Sequence, residues 1–352
     1  GRPEALRLAR KHASVTAEDA PIADWIVAVL SRTSPRHRRA ARQVEQLTPA
    51  LAAKALEDTL FYRYGRLISR NEVGADPSRL ALAPDAFHAR CAERLARYPD
   101  AMLATATHDH KRGEDTRARL AVLSEIADEW VETVEYWRAA NSALRTNDAP
   151  DAIDEYFFYQ SAIGAWPLHG DVEADQLVER LVAWQRKALR EAKRRSSWTR
   201  PNTDYEDACE RFARAVLAGP FQAELSAFVE RIAAAGAVNG LTQTLLRLTV
   251  PGVPDLYQGT EFWDFSLVDP DNRRAVDYIA RRAALDDHVS LHTLLNDWRS
   301  GHIKQALIRR ALNFRRDHDA LFRRGNYRAV AIEGGSAQHA LAWLREHNNE
   351  VA

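Results

Sequence analysis

Two segments of this 352-residue chain combine residue types that could do chemistry. In MLATATHDHKRGED, residues 102–115, a short apolar, threonine-containing run at 101–107 leads straight into His108-Asp109. Lys111, Arg112, Glu114 and Asp115 follow at once. In LTQTLLRLTVPGVPDLYQGTEFWDFSLVDPDNRRAVDY, residues 241–278, a helical run ends at Thr249-Val250 and two prolines, Pro251 and Pro254, bracket Gly252-Val253. Asp255, Tyr257, Gln258 and Glu261 come next. Polar groups placed directly after an apolar strand are the pattern of a barrel rim, where strand ends hand their side chains to a substrate. A short, rigid His-Asp pair in such a place suits sugar chemistry. The carboxylate accepts from ring hydroxyls, the imidazole donates to a neighbouring one, and both grips can tighten as the ring flattens towards its transition state.

Each of these residues also has a plainer reading. His108 and Asp109 could simply open a loop before a helix. Glu114 and Asp115 are read as acidic residues favoured by the dipole at a helix N-terminus. Asp255 and Glu261 could touch a ligand or hold the fold, with Pro251 and Pro254 fixing the backbone around them. DPDNRR at 269–274 is by spacing an Asx-type turn carrying solvated arginines, Arg273 among them. Lys54, Glu57 and Asp58, in AKALEDTLFYRY, could equally be ion pairs along a helix face. Spacing alone leaves these cases open.

The elements that would position such residues are mostly helical. Over 1–60 apolar residues recur at three- and four-residue spacing in IADWIVAVL and RAARQVEQLTPALAAKALEDTLF. The block FYRYGRLISRNEVGADPSRL is punctuated by Gly, Asn and Pro and predicts a loop. Pro84-Asp85 opens a helix that ends near Tyr98-Pro99, and 101–107 is expected to be a short buried strand. From 116 to 235 the pattern is almost wholly helical. Leu120, Leu123, Ile126, Trp130, Val134 and Trp137 share one face, as do Leu177, Leu181, Trp184 and Leu189, and both sets are expected in the core. Pro220 is expected to start a helix that Gly236 closes. Residues 279–320 are again helical, and the tail NYRAVAIEGGSAQHALAWLRE alternates like two strands around a Gly-Gly turn, cut off before a sheet is finished.

Composition excludes several classes. Lys plus Arg number 49, as do Asp plus Glu, and the signs are interspersed, so the chain lacks the basic field that nucleic-acid binding requires. Six of those 49 cations are lysines and the rest arginines, a bias that reads as genomic composition rather than phosphate recognition. Cys91 and Cys209 form no disulfide framework and show no metal-ligand spacing. No apolar run approaches the roughly 20 residues of a membrane span, and the first residues lack an apolar signal core. A cytoplasmic protein with no cofactor and no metal is expected.

Several segments together carry a resemblance. They are AKALEDTLFYRYGRLISRNEVGADP, THDHKRGEDTRARLAVLSE, YQSAIGAWP, KALREAKRRSSW and PGVPDLYQGTEFWDFSLVDPDNRRAVDY. In that order, from about residue 40 to 280, the chain resembles maltooligosyltrehalose synthases of the alpha-amylase superfamily. GVPDLYQGTE alone is similar to the eighth-strand motif of alpha-amylases at large, whereas the long helical stretch between the His-Asp strand and that motif resembles the synthases in particular. Two positions depart from the family pattern. His110 stands where a small hydroxyl residue is usual, and Ala275 where a proline commonly follows the two arginines.

The resemblance implies a fold that is α/β by family but mainly α by content: an incomplete (β/α)8 barrel with a large helical insertion and the start of a C-terminal β domain. It divides the chain into later barrel segments and loops (1–115), the insertion (116–235), the last strand with its loop and helix (236–300), and a final helix with a truncated β domain (301–352). It implies Asp109 as the carboxylate that stabilises the transition state and His108 as its hydroxyl-binding neighbour. Lys111 is implied at the departing glucose, Lys54, Tyr62 and Tyr64 around the acceptor side, and Tyr257, Glu261 and Arg273 at the rim. The activity implied is an intramolecular transglucosylation that turns the reducing-end α-1,4 link of a maltodextrin into an α-1,1 link. No segment resembles the strands that supply the family's nucleophilic Asp and acid Glu. The chain is therefore expected to be a C-terminal portion, inactive alone, with a maltooligosaccharide and the missing N-terminal part as its partners. The alternatives are another glucanotransferase or isomerase of the superfamily, or a non-catalytic glycan-binding or interaction module.

Overall fold

A computed structural model describes residues 2–12, 16–32, 34–168, 174–286, 289–348 and 350–352. The chain divides into two compact units, Gly1–Leu60 and Phe61–Ala352. The first consists of helices α1 (Arg2–His12), α2 (Ala20–Leu30) and α3 (Pro35–Ala52), the last running on into a single π-helical turn at Ala53–Glu57. Ser34 caps α3 by accepting from the amide of His37 (3.2 Å), and Pro35 occupies the first turn, where no amide donor is needed.

The second unit begins with a loop segment that contains only short 3-10 turns, as its Gly, Asn and Pro residues predict. It continues through α4 (Pro84–Arg97), strand β1 (Met102–Leu103), α5 (Glu114–Ala121), α6 (Ala127–Ala140), α7 (Ala152–Ala165), α8 (Ala174–Ala192), α9 (Thr203–Ala218) and α10 (Phe221–Thr249). Strand β2 (Val253–Pro254) follows, then α11 (Tyr278–Asp286), α12 (Leu291–Asn296), α13 (His302–Asp317) and α14 (Asp319–Arg324). The chain ends in β3 (Asn326–Ala329), β4 (Trp343–His347) and β5 (Glu350–Val351). Among the described residues, β1 and β2 form a two-stranded parallel sheet and β3–β4–β5 a three-stranded antiparallel one. The molecule is mainly helical.

The core lies among α5–α10. Trp130, Val134, Trp137, Leu177, Leu181 and Trp184 are all buried, on the faces their spacing predicts. Trp137 sits at the centre, with ring centroids 4.9 Å from Phe221, 5.5 Å from both Phe228 and Tyr159, and 5.8 Å from Trp130. These pairs are mostly edge-to-face, which places the positive rim of one ring on the negative face of another. Each contributes about 0.5–1.5 kcal/mol beyond the area it buries. Helix α7 is buried along nearly its whole length and starts at Asp151, whose carboxylate accepts from the amides of Ile153 (3.1 Å) and Asp154 (3.0 Å).

Three expectations are corrected. Gly236 does not close a helix: α10 continues through it and Gly240 to Thr249. A Cβ at Gly236 would come 2.9 Å from the Cα of Arg119 and one at Gly240 would come 2.5 Å from an Asp115 carboxylate oxygen. Glycine is therefore present for the close crossing of α5 and α10, and that packing overrides its weak helix propensity. The strand expected over 101–107 is reduced to Met102–Leu103, with Met102 71% exposed rather than buried. The tail does form two antiparallel strands, but they flank a long connection with a 3-10 turn, and β5 adds a third strand beside β4.

Candidate active site

Strands β1 and β2 run side by side in the same direction, with Met102 opposite Val253 and Leu103 opposite Pro254. The amide of Val253 donates to the carbonyl of Ala101 and that of Asp255 to the carbonyl of Leu103, both at 2.9 Å. Gly252 makes the pairing possible. Its φ is +126°, and a Cβ there would lie 2.8 Å from the Ala101 carbonyl oxygen. Because the strands are parallel, their polar sequels emerge at one end, and the His108-Asp109 segment meets the loop after Pro254 there.

The turn carrying Asp109 is built locally. The Asp109 amide donates to Thr107 Oγ1 (3.2 Å), which curls the chain and leaves both His108 and Asp109 exposed. His110 points the other way and is buried. Its Nδ1 accepts from the amide of Thr107 (3.3 Å), which leaves Nε2 as the protonated nitrogen, donating to Ser266 Oγ (3.0 Å). Burial pushes the His110 pKa below its ordinary value, so the neutral ring that this arrangement requires is also the favoured one. The edge of Tyr257 meets this ring at a centroid distance of 5.8 Å. The tyrosine hydroxyl in turn donates to the carbonyl of Asn272 (3.2 Å).

The 269–274 loop closes the arrangement. Asn272 Nδ2 (3.1 Å) and an Arg273 guanidinium nitrogen (3.4 Å) both donate to the carbonyl of His108. The loop therefore grips the backbone under the His-Asp pair, which is more than a turn with solvated charges. Lys111 is 3% exposed, and its Nζ lies 3.8 Å from an Asp109 oxygen, while the Asp109 carboxylate is 53% exposed. Tyr62 is buried and Tyr64 half-buried in the segment before the loop. Glu261 forms an ion pair with Arg281 (3.0 Å), whose other arm donates to the carbonyl of Gly259 (2.7 Å), so its carboxylate braces the 257–261 turn. Lys54 lies in the π-helical turn of the other unit, exposed and paired with Asp58, as the helix-face reading has it.

Beneath the loop is a cluster that sequence reasoning largely missed. Glu114 and Asp115 do start α5, as a dipole argument places them, but both are buried. Lys304 Nζ, from α13, stands 2.7 Å from Glu114 Oε1 and 2.6 Å from Asp115 Oδ2, and Arg247 of α10 is 2.7 Å from Glu114 Oε2. Thr105, two residues beyond β1, bonds to both Glu114 and Arg247. Burial would raise the Glu114 pKa, but the adjacent Lys304 and Arg247 cations hold it at about 2. Burial pushes Asp115 up to about 6, against the pull of Lys304, and the neighbouring Glu114 carboxylate adds its repulsion. The one sequence signal for Lys304 is its rarity, a lysine within a helical run of a chain that otherwise prefers arginine. Asn71 and Glu72, in the loop before α4, are buried as well and carry no chemical signal in the sequence. Among the described residues no group of three His, Cys, Asp or Glu side chains could hold a metal ion, and no helix is long and apolar enough to cross a membrane.

No profile of a known protein family matches the chain. Individual proteins do. A curated Mycobacterium tuberculosis protein named "Putative maltooligosyl trehalose synthase" is 40% identical over 345 residues, covering 98% of this chain and 42% of that one. The maltooligosyltrehalose synthase structure from Arthrobacter ramosus superposes with a TM-score of 0.82 at 36% identity, over 97% of this chain and 43% of that one. A Sulfolobus tokodaii structure described as a hypothetical maltooligosyl trehalose synthase gives 0.73 at 31%, over 91% and 43%. By these likenesses the chain is a homologue of the maltooligosyltrehalose synthases, and it spans about two fifths of the length of the curated relatives it matches.

Proposed function

We propose that this chain carries the part of a maltooligosyltrehalose synthase that presents the last strands of a (β/α)8 barrel to a maltodextrin. The reaction is an intramolecular transglucosylation in which the reducing-end glucose leaves its α-1,4 link, turns, and is rejoined through an α-1,1 bond. A retaining route through a covalent glycosyl-enzyme needs a nucleophilic carboxylate and a carboxylic acid close to the scissile bond. Asp109 takes neither role. It binds sugar hydroxyls more strongly as positive charge builds on the ring, with His108 donating alongside and Lys111 directed at the departing glucose. Tyr257 and Arg273 form the rim, Glu261 stiffens it through Arg281, and Tyr62, Tyr64 and Lys54 serve the acceptor side.

The observation that supports this reading best is the joining of two sequence-distant segments at one strand end. The backbone under His108-Asp109 is held by Asn272 and Arg273, while Tyr257 packs on His110 and bonds to Asn272. Titration calorimetry with maltohexaose tests it. Binding is expected for the chain as it stands, weakened by roughly tenfold in Asp109→Asn, since a hydrogen bond to a charged group contributes about 1.5–3 kcal/mol. Affinity unchanged in that variant would overturn the assignment of Asp109. The chain alone is expected to form no non-reducing product from maltohexaose, because one carboxylate cannot fill three roles, and appearance of that product would refute this point.

A further inference from the structure

Asn71 and Glu72 are adjacent in the loop before α4, and both are buried. Their side chains reach in different directions and hold two separate stretches of backbone. The Asn71 amide nitrogen donates to the carbonyls of Phe61 (2.8 Å) and Tyr64 (2.7 Å), closing the turn that carries Tyr62 and Tyr64. The Glu72 carboxylate accepts from the amide of Lys111 at 2.9 and 3.1 Å, from the amide of Arg112 at 3.1 Å, and from the amide of Val73 at 2.8 Å. The Arg117 guanidinium lies 3.5 Å away and balances the charge. Each of these amides is a backbone donor outside any helix or strand ladder, so a buried carboxylate that satisfies several of them at once fixes where the following side chains start. We propose that Asn71 and Glu72 act as positioning residues, a clasp that sets the tyrosine turn and the Asp109–Lys111 segment at a fixed separation so that both can grip one sugar chain.

This inference rests on the maltodextrin reading, and its test separates the two. Glu72→Ala removes every acceptor, whereas Glu72→Gln keeps the shape and one acceptor oxygen but turns an N–H group towards amide donors. In Glu72→Ala, amide hydrogen exchange measured by mass spectrometry should speed up by roughly tenfold or more in peptides spanning 108–113, and stay as in the parent chain across α7 and α10. Glu72→Gln should give a smaller change in the same peptides, and it serves as the readout if the alanine variant does not fold. Maltohexaose affinity should fall by about tenfold in step with the local exchange. Local exchange unchanged in both variants overturns the clasp, and faster local exchange with undiminished affinity overturns its positioning role. Absence of maltohexaose binding in the parent chain defeats the maltodextrin reading and with it the sugar-gripping role, while the exchange pattern still decides whether the clasp holds the loop.

Discussion

Lys304 Nζ lies 2.6 Å from Asp115 Oδ2, and neither side chain is more than 3% exposed. The same ammonium also serves Glu114, so one cation from α13 bridges two successive carboxylates at the start of α5, with Arg247 as the second cation on Glu114. Breaking such a buried pair leaves a charge with neither water nor partner. Lys304→Met is expected to destabilise the chain by about 3–5 kcal/mol in urea unfolding. Adding Asp115→Asn to that variant should recover part of the loss, because it removes one stranded carboxylate. A loss under about 1 kcal/mol for Lys304→Met would show that the cluster is not closed to water.

The pH dependence of stability follows from the same cluster. The folded-state pKa of Glu114, held at about 2, lies below its ordinary 4.5, so it contributes stability that is present above pH 4.5 and lost as pH falls towards 2. Asp115 has the opposite sign. Its folded-state value, about 6, lies above the ordinary 3.8, so its protonated form favours the fold and that contribution fades as pH rises from about 4 to 6. Asp115→Asn should therefore flatten the decline between pH 4 and 6 by on the order of 1–3 kcal/mol relative to the parent chain. Parallel pH profiles for the two proteins would contradict this.

Gly240→Ala probes the helix crossing. The added methyl would lie 2.5 Å from Asp115 Oδ1, with α5 and α10 already in close contact. A loss of about 1–3 kcal/mol is expected from overpacking, more than offsetting the gain in helix propensity. Thermal unfolding with unchanged or raised stability would mean the helices can part without loss.

Tyr257→Phe separates rim chemistry from packing. The ring keeps its place against His110, but the bond to the Asn272 carbonyl is lost. Stability should fall by about 0.5–1.5 kcal/mol, and maltohexaose binding should weaken because the Asn272–Arg273 grip on His108 loosens. Calorimetry on the variant reads both effects.

The helical face pattern of 116–235 was legible because apolar residues at three- and four-residue spacing leave few other ways to bury tryptophans such as Trp130 and Trp137. So was the neighbourhood of His108-Asp109 and Tyr257, because parallel strands bring their polar sequels to one end. What escaped was set by partners distant in sequence. Gly236 looks like a helix end until Arg119 is seen against it. Glu114 and Asp115 look like surface charges at a helix start until Lys304, 189 positions beyond Asp115, arrives between them. Glu72 carries no local mark at all, since its partners are backbone amides some 40 residues on.

The glycine seam of α10 also settles where the protein cannot yield. With Gly236 and Gly240 letting α5 touch backbone to backbone, neither helix has room to slide or roll, and the buried charges lock their relative height. The irregular stretch between Pro254 and Arg274 is fastened to the helices as well, by the Asp264 amide donating to Asp115 Oδ2 and by the Arg180–Asp271 ion pair, so it keeps its place with little regular structure of its own.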